Sequence, residues 1–177
     1  MPVRLRLPPP VCRFFEQEPD ALCFTASTHR GLPPYRQTMS IPSGYTIVHR
    51  PSEFTDLCGP FYEKKENGVR TELAMRIQDK HRNLRGIAHG GLLVTLADSA
   101  LGDAIIECYD EPIGLVTVTL STDFLRPTKI GDWARAIVDV QRAGRRMAFA
   151  ECSVYVEEDK VLRASGVFAV MDPAGRR

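Results

Sequence analysis

The sequence predicts an α+β domain, an antiparallel sheet of five to six strands wrapped around one long central helix. Two patterns predict it. From Gly90 to Cys108, apolar residues recur at Leu92, Leu93, Leu96, Ala97, Ala100, Leu101, Ala104 and Ile105, the spacing of a helix whose broad apolar face must be covered. After it, Gly114–Leu125, Asp132–Gln141, Arg146–Glu157 and Val161–Met171 read as strands, joined by connections short enough for antiparallel hairpins. Strands that succeed one another through tight turns and share one buried helix make a layered α+β arrangement.

Residues 1–45 hold eight of the thirteen prolines and show no sustained period of either kind. They are expected to form an extended or disordered leader, with the folded domain over 46–177. Arg4, Arg6, Arg13 and Arg30 make the leader basic, but Glu16, Glu18, Asp20 and the prolines argue against an amphipathic transit peptide. Met39 offers an alternative translation start. A short helix is expected over Pro51–Cys58 and a strand over Gly59–Glu66, closed by the turn Glu66-Asn67-Gly68. Val69–Gln78 alternates mostly apolar odd positions with mostly polar even ones, the period of a strand with one wet face.

Lysine plus arginine number 23 against 22 acidic residues, so no global field invites nucleic acid and no polybasic run marks a membrane-surface patch. Hydrophobic content of 44% with 25% charged residues fits a soluble globular domain. Cys12, Cys23, Cys58, Cys108 and Cys152 are odd in number and lack a C-x-x-C pair, which points to a reducing, cytoplasmic setting. The chain has no apolar run of membrane-spanning length, so no membrane partner is expected. His29, His49 and His81 show no metal-ligand spacing, and neither metal nor cofactor is expected.

The chemistry concentrates in Asn83-Leu84-Arg85-Gly86-Ile87-Ala88-His89-Gly90-Gly91 and the helix that it opens. Glycines without Cβ atoms let an outside group approach the unpaired N–H groups of the helix's first turn, where negative charge is favoured. Asp98, at the rim of the apolar face, carries a carboxylate that is either a solvated flank acid or a catalytic one. A carboxylate near an oxyanion-binding helix end suits attack on an activated carbonyl. Asp103 is its rival on the same helix, with a structural role as the expected alternative.

The pattern Asn-x(6)-Gly-Gly, with His before the glycines and Asp eight residues after the first, resembles hotdog-fold acyl-CoA thioesterases of the phenylacetate-pathway and 4-hydroxybenzoyl-CoA type. The likeness continues through Thr117-Val118-Thr119-Leu120-Ser121-Thr122-Asp123-Phe124-Leu125-Arg126-Pro127 to Gly131-Asp132. It implies hydrolysis of a CoA thioester, with Asp98 as nucleophile or general base, the Gly90 N–H polarising the carbonyl and Gly91 keeping the approach open. Asn83 either closes the turn or fixes the attacking water. The resemblance further implies a Thr117 hydroxyl near the carboxylate and His89 shaping the loop; Thr119 is a candidate substrate contact, and Phe124 either lines the channel for the pantetheine or acyl group or belongs to the core. Arg126 and Lys129 in one turn, and Arg142, Gly144, Arg145 and Arg146 in another, would meet the phosphates of coenzyme A. Relatives of this kind form homodimers or dimers of dimers whose sites draw on both subunits. A non-catalytic acyl-CoA sensor is the alternative from another class. An acyl-thioester hydratase is disfavoured, because no Asp-x(4)-His pair stands in a suitable loop.

Overall fold

In the computed structural model, residues 40–49 and 52–171 are described. Residues 1–39 of the expected leader, Met39 among them, lie outside the described residues. Along the chain come β1 (Tyr45–Val48), α1 (Glu53–Cys58), β2 (Phe61–Glu66), β3 (Val69–Arg76), a 3₁₀ turn (Asp79–His81), α2 (Gly90–Ile106), β4 (Gly114–Phe124), β5 (Trp133–Ala143), β6 (Met147–Val156) and β7 (Asp159–Met171). The seven strands form one antiparallel sheet in the order β1-β2-β3-β5-β6-β7-β4. One strand more than expected is present. The addition is β1, a four-residue run too short to show a period, which tertiary contacts hold to the sheet edge. Its Tyr45 ring packs edge-on against Trp133 at 5.1 Å, and its hydroxyl donates to Glu72.

The strands expected from periodicity occur with ends shifted by one or two residues. Between β2 and β3, Asn67 and Gly68 both take positive φ, 52° and 82°, the backbone that the Asn-Gly pair favours in a two-residue hairpin.

Helix α2 buries Leu92, Leu93, Leu96, Ala97, Ala100, Leu101 and Ile105 against strands β3 to β7. From the sheet, Leu73, Met75, Val154, Leu162 and Phe168 close the same core. A fully buried leucine stabilises by about 1.5–3 kcal/mol, so this face commits the helix to the sheet. β4 is left as an outer strand with one unpaired side, and Val116 and Val118 are exposed along it.

Candidate active site

The loop before α2 is held by Asn83. Its Oδ1 accepts from the Arg85 N–H at 2.8 Å and the Ile87 N–H at 3.4 Å, and its Nδ2 donates to the Ala88 carbonyl at 3.4 Å. Every one of these partners is backbone of the same loop, so the contacts of Asn83 are those of turn closure. The loop is anchored to the β4–β5 turn by Ala88 N–H donating to the Thr128 carbonyl at 2.8 Å.

His89 takes the N-cap position of α2, where its Nδ1 accepts from the Gly91 N–H at 3.0 Å. An imidazole thereby does what a Ser or Asp side chain commonly does at a helix start. With Gly91 occupied, the Gly90 N–H donates to no group among the described residues, and it remains an open donor at the positive end of the helix. A Cβ on Gly90 would stand 3.1 Å from Cε1 and Cζ of Phe124, so only glycine lets that ring lie so close.

Two turns along α2, Asp98 Oδ1 accepts from the Thr117 hydroxyl of β4 at 3.0 Å. A β-bulge at Val118 gives Thr117 its place: Thr117 pairs with Phe168, but Thr119 pairs with Val167 and Leu120 with Gly166. Phe168 is buried beneath the helix, and Thr117 shares its face. Thr119 falls on the opposite, outer face. Strict alternation sets Thr117 and Thr119 on one face; the extra residue at 118 separates them, and the structure does not bring Thr119 to the site.

Asp103 is engaged elsewhere. Its Oδ2 lies 2.5 Å from Arg70 Nη1, and Arg70 also meets Glu63 at 2.7 Å. Burial works to lower the Arg70 pKa, but the Asp103 and Glu63 carboxylates outweigh it and hold the guanidinium above its ordinary value. This is a structural ion pair between β3 and the far half of α2.

The two basic turns lie at opposite ends of the sheet. Phe124, just before Arg126 and Lys129, pairs with Leu162, while Met147, just after Arg145 and Arg146, pairs with Ala169. The strands between them span on the order of 30 Å. The first turn sits by the start of α2 and is braced by Lys129 N–H donating to Asp132 at 2.7 Å, with Arg126 3.5 Å from Asp159. The second sits by the end of α2, where the Tyr109 hydroxyl donates to the Gly144 carbonyl at 2.7 Å, and Arg142, Arg145 and Arg146 are exposed. One chain cannot bring both turns to one coenzyme A phosphate.

A similar separation divides the catalytic candidates. Gly90 and Asp98 are eight residues apart on one helix, about 12 Å along its axis. No single carbonyl carbon reaches both groups in one chain. The open cleft beside the helix start, with Phe54, Leu57 and the buried His81 on its walls, escaped the sequence pattern, since α1 is too short to display a period. Among the described residues no group of three His, Cys, Asp or Glu side chains is arranged to hold a metal ion.

The thioesterase superfamily profile matches residues 85–163, from the loop before α2 into β7. An inferred esterase of Pseudomonas aeruginosa is 42% identical over 130 residues, 73% of this chain and 97% of that protein. Mouse acyl-coenzyme A thioesterase 13 is 29% identical over 92 residues, 52% of this chain and 65% of its own. A Bacillus halodurans protein solved with CoA superposes with a TM-score of 0.56 at 26% identity, covering 61% of this chain and 71% of that one. With its helix wrapped by an antiparallel sheet and its Gly90 amide and Asp98 in the matched region, the chain belongs to the hotdog-fold thioesterase superfamily and is a thioester hydrolase.

Proposed function

We propose that the chain hydrolyses acyl-CoA thioesters at a site completed by a second copy of itself. The separation of about 12 Å between the open Gly90 N–H and the Thr117-held Asp98 carries this reading. β4 offers an unpaired edge eleven residues long, with Val116 and Val118 exposed, and such an edge is a template for another strand. Two β4 strands pairing antiparallel about a two-fold axis run in opposite directions. The start of one α2 then lies toward the middle of the other, so that Gly90 of one chain and Asp98 of its partner can address one carbonyl. The same reversal sets the Arg126–Lys129 turn of one chain toward the Arg142–Arg146 turn of the other, at one end for the phosphates of coenzyme A.

The Gly90 amide stabilises the oxygen that becomes negative as the thioester carbonyl is attacked. Asp98 then acts in one of two ways. It adds to the carbonyl carbon, expelling the CoA thiolate and leaving a mixed anhydride that water opens, or it takes a proton from a water that adds directly. In both, the Thr117 hydroxyl fixes the carboxylate, His89 and Asn83 keep the Gly90 donor in position, and no cofactor is required. A CoA-bound structure of similar fold and a relative named as an acyl-coenzyme A thioesterase support the substrate class. The near balance of charge and the odd, scattered cysteines support a cytoplasmic enzyme that takes no nucleic acid. Among the described residues no helix is long and apolar enough to cross a membrane.

Thiol release from a panel of acyl-CoA esters, measured alongside light scattering, tests the proposal. Dimers or dimers of dimers that release free CoA are expected, and Val118→Lys on the β4 edge should yield monomers that have lost turnover. Tight CoA-ester binding without thiol release would make the protein a sensor, and a fully active monomer would end the shared-site reading.

A further inference from the structure

The loop that leads into α2 closes at a neck. Arg82 and Ala88 form an isolated antiparallel bridge, Asn83 N–H donates to the Ile87 carbonyl at 2.8 Å, and His89 N–H donates to the His81 carbonyl at 2.8 Å. His89 is the N-cap whose ring accepts from Gly91, so the residue that aims the open Gly90 N–H is itself tied to His81. His81 is 5% exposed and ends the 3₁₀ turn (Asp79–His81). Its hold on that turn is reciprocal. Nδ1 accepts from the Gln78 N–H at 3.0 Å, and the His81 N–H donates to the Gln78 carbonyl at 2.9 Å. An accepting Nδ1 carries no proton, which assigns the ring proton to Nε2.

We propose that His81 is a positioning residue for the Gly90 oxyanion donor, acting through His89, and that a second proton on its ring opens the loop neck and lowers turnover in mild acid. The inference rests on the reading of Gly90 as the donor to an acyl-CoA carbonyl. It adds the residue, and the protonation state, that keep this donor in place.

The surroundings of the ring oppose a positive charge. Asp79, Lys80 and Arg82 lie on its own turn or next to it, Cys58 faces it from α1 and His89 from the start of α2. Asp79, the one carboxylate of this set, is exposed and paired with Arg82, so it does not compensate an imidazolium. Burial lowers the His81 pKa and the Lys80 ammonium adds to this, while the backbone of Cys58 offsets them only in part. Nε2 is shut off from solvent and makes no well-formed hydrogen bond. The neutral ring is therefore the native form, and it takes its second proton only below about pH 6.5. That proton lands on Nδ1 and sets two N–H groups, of His81 and Gln78, against each other. The 3₁₀ turn must then give way, and with it the carbonyl that holds His89. Turnover is full while the ring is neutral and is lost as pH falls through the lowered pKa.

Thiol release from octanoyl-CoA and benzoyl-CoA between about pH 5 and pH 8 tests the proposal, with the folded fraction read by circular dichroism at each pH. For wild-type protein, kcat per folded molecule should be level above about pH 6.5 and fall about tenfold or more toward pH 5, with KM within about twofold. His81→Leu, similar in bulk but without an acceptor, should have the low kcat at every pH. His81→Asn has an amide oxygen that accepts from Gln78 and does not titrate, so it should recover most of that loss and lack the acid fall. The fall should persist in His89→Asn, which separates the two imidazoles. His81→Asn with the wild-type acid fall, His81→Leu that melts lower but keeps wild-type kcat, or a fall abolished by His89→Asn overturns the inference. Should His81→Leu not fold, wild-type protein and His81→Asn decide between them. Wild-type protein that releases no thiol at any pH overturns the acyl-CoA hydrolase reading instead. The neck is then judged by hydrogen exchange of the His89 amide, whose protection should drop in acid in wild-type protein and hold in His81→Asn. An equal drop in both overturns the role of His81.

Discussion

The Thr117 hydroxyl donates to Asp98 Oδ1 across 3.0 Å, tying the edge strand β4 to the middle of α2 and fixing a half-buried carboxylate beside the unpaired side of the sheet. The bond satisfies one lone pair of Asp98 Oδ1.

Asp98→Asn keeps the size and the acceptor toward Thr117 but removes charge and basicity. Steady-state hydrolysis should show kcat lower by about 10² to 10⁴, with KM within a few-fold. Asp103→Asn is the matching control. It weakens the Arg70 ion pair, costs stability of about 1–3 kcal/mol in a denaturant melt, and leaves kcat per folded molecule intact. The reverse pattern would mean that the catalytic carboxylate is Asp103.

Thr117→Val preserves the strand and its shape but leaves Asp98 without its donor. A hydrogen bond to a charged group contributes about 1.5–3 kcal/mol, so kcat should fall about tenfold to a hundredfold. Thr117→Ser should restore most of the rate. Thr119→Val, on the outer face, should change nothing measurable, and a Thr119→Val loss equal to that of Thr117→Val would contradict the bulged register.

Gly90→Ala places a Cβ 3.1 Å from the Phe124 ring and must displace either the ring or the helix start. A shift of that order at an oxyanion donor should lower kcat/KM about tenfold to a hundredfold while thermal stability changes little. Combining Gly90→Ala with Phe124→Leu should recover part of the rate. Failure to recover would indicate that the Phe124 contact is incidental.

Arg145→Ala with Arg146→Ala should raise KM for CoA esters while kcat holds, and the penalty should shrink as salt rises, since exposed charges are screened within about 10 Å at 0.1 M salt. Arg126→Ala should have the same signature if the two turns meet across subunits. A fall in kcat alone for either variant would remove the hairpins from substrate binding.

By itself the sequence determined what short-range physics dictates. The three-to-four residue apolar spacing of Leu92 to Ile105 decided where the helix lies and which face it buries, and period-two runs with Asn67-Gly68 between them decided strands and a hairpin, because each needs only neighbouring residues to specify it. The Asn83-to-Asp98 motif was legible for the same reason, since the loop, cap and helix are consecutive in the chain. Tertiary structure decided what depends on distant partners. β1 is a strand through its antiparallel ladder to β2, with Trp133 and Glu72 receiving Tyr45. Thr119 leaves the site because the ladder to β7 slips by one residue at Val118, and Asp103 is structural because Arg70 reaches it from β3. The two basic turns, equal as charge patterns, are separated by the length of antiparallel strands, and Gly90 and Asp98, close in sequence, are kept apart by the rise of the helix that joins them. Spacing along a chain specifies an element, but which elements share a face depends on long-range packing, which no local period encodes.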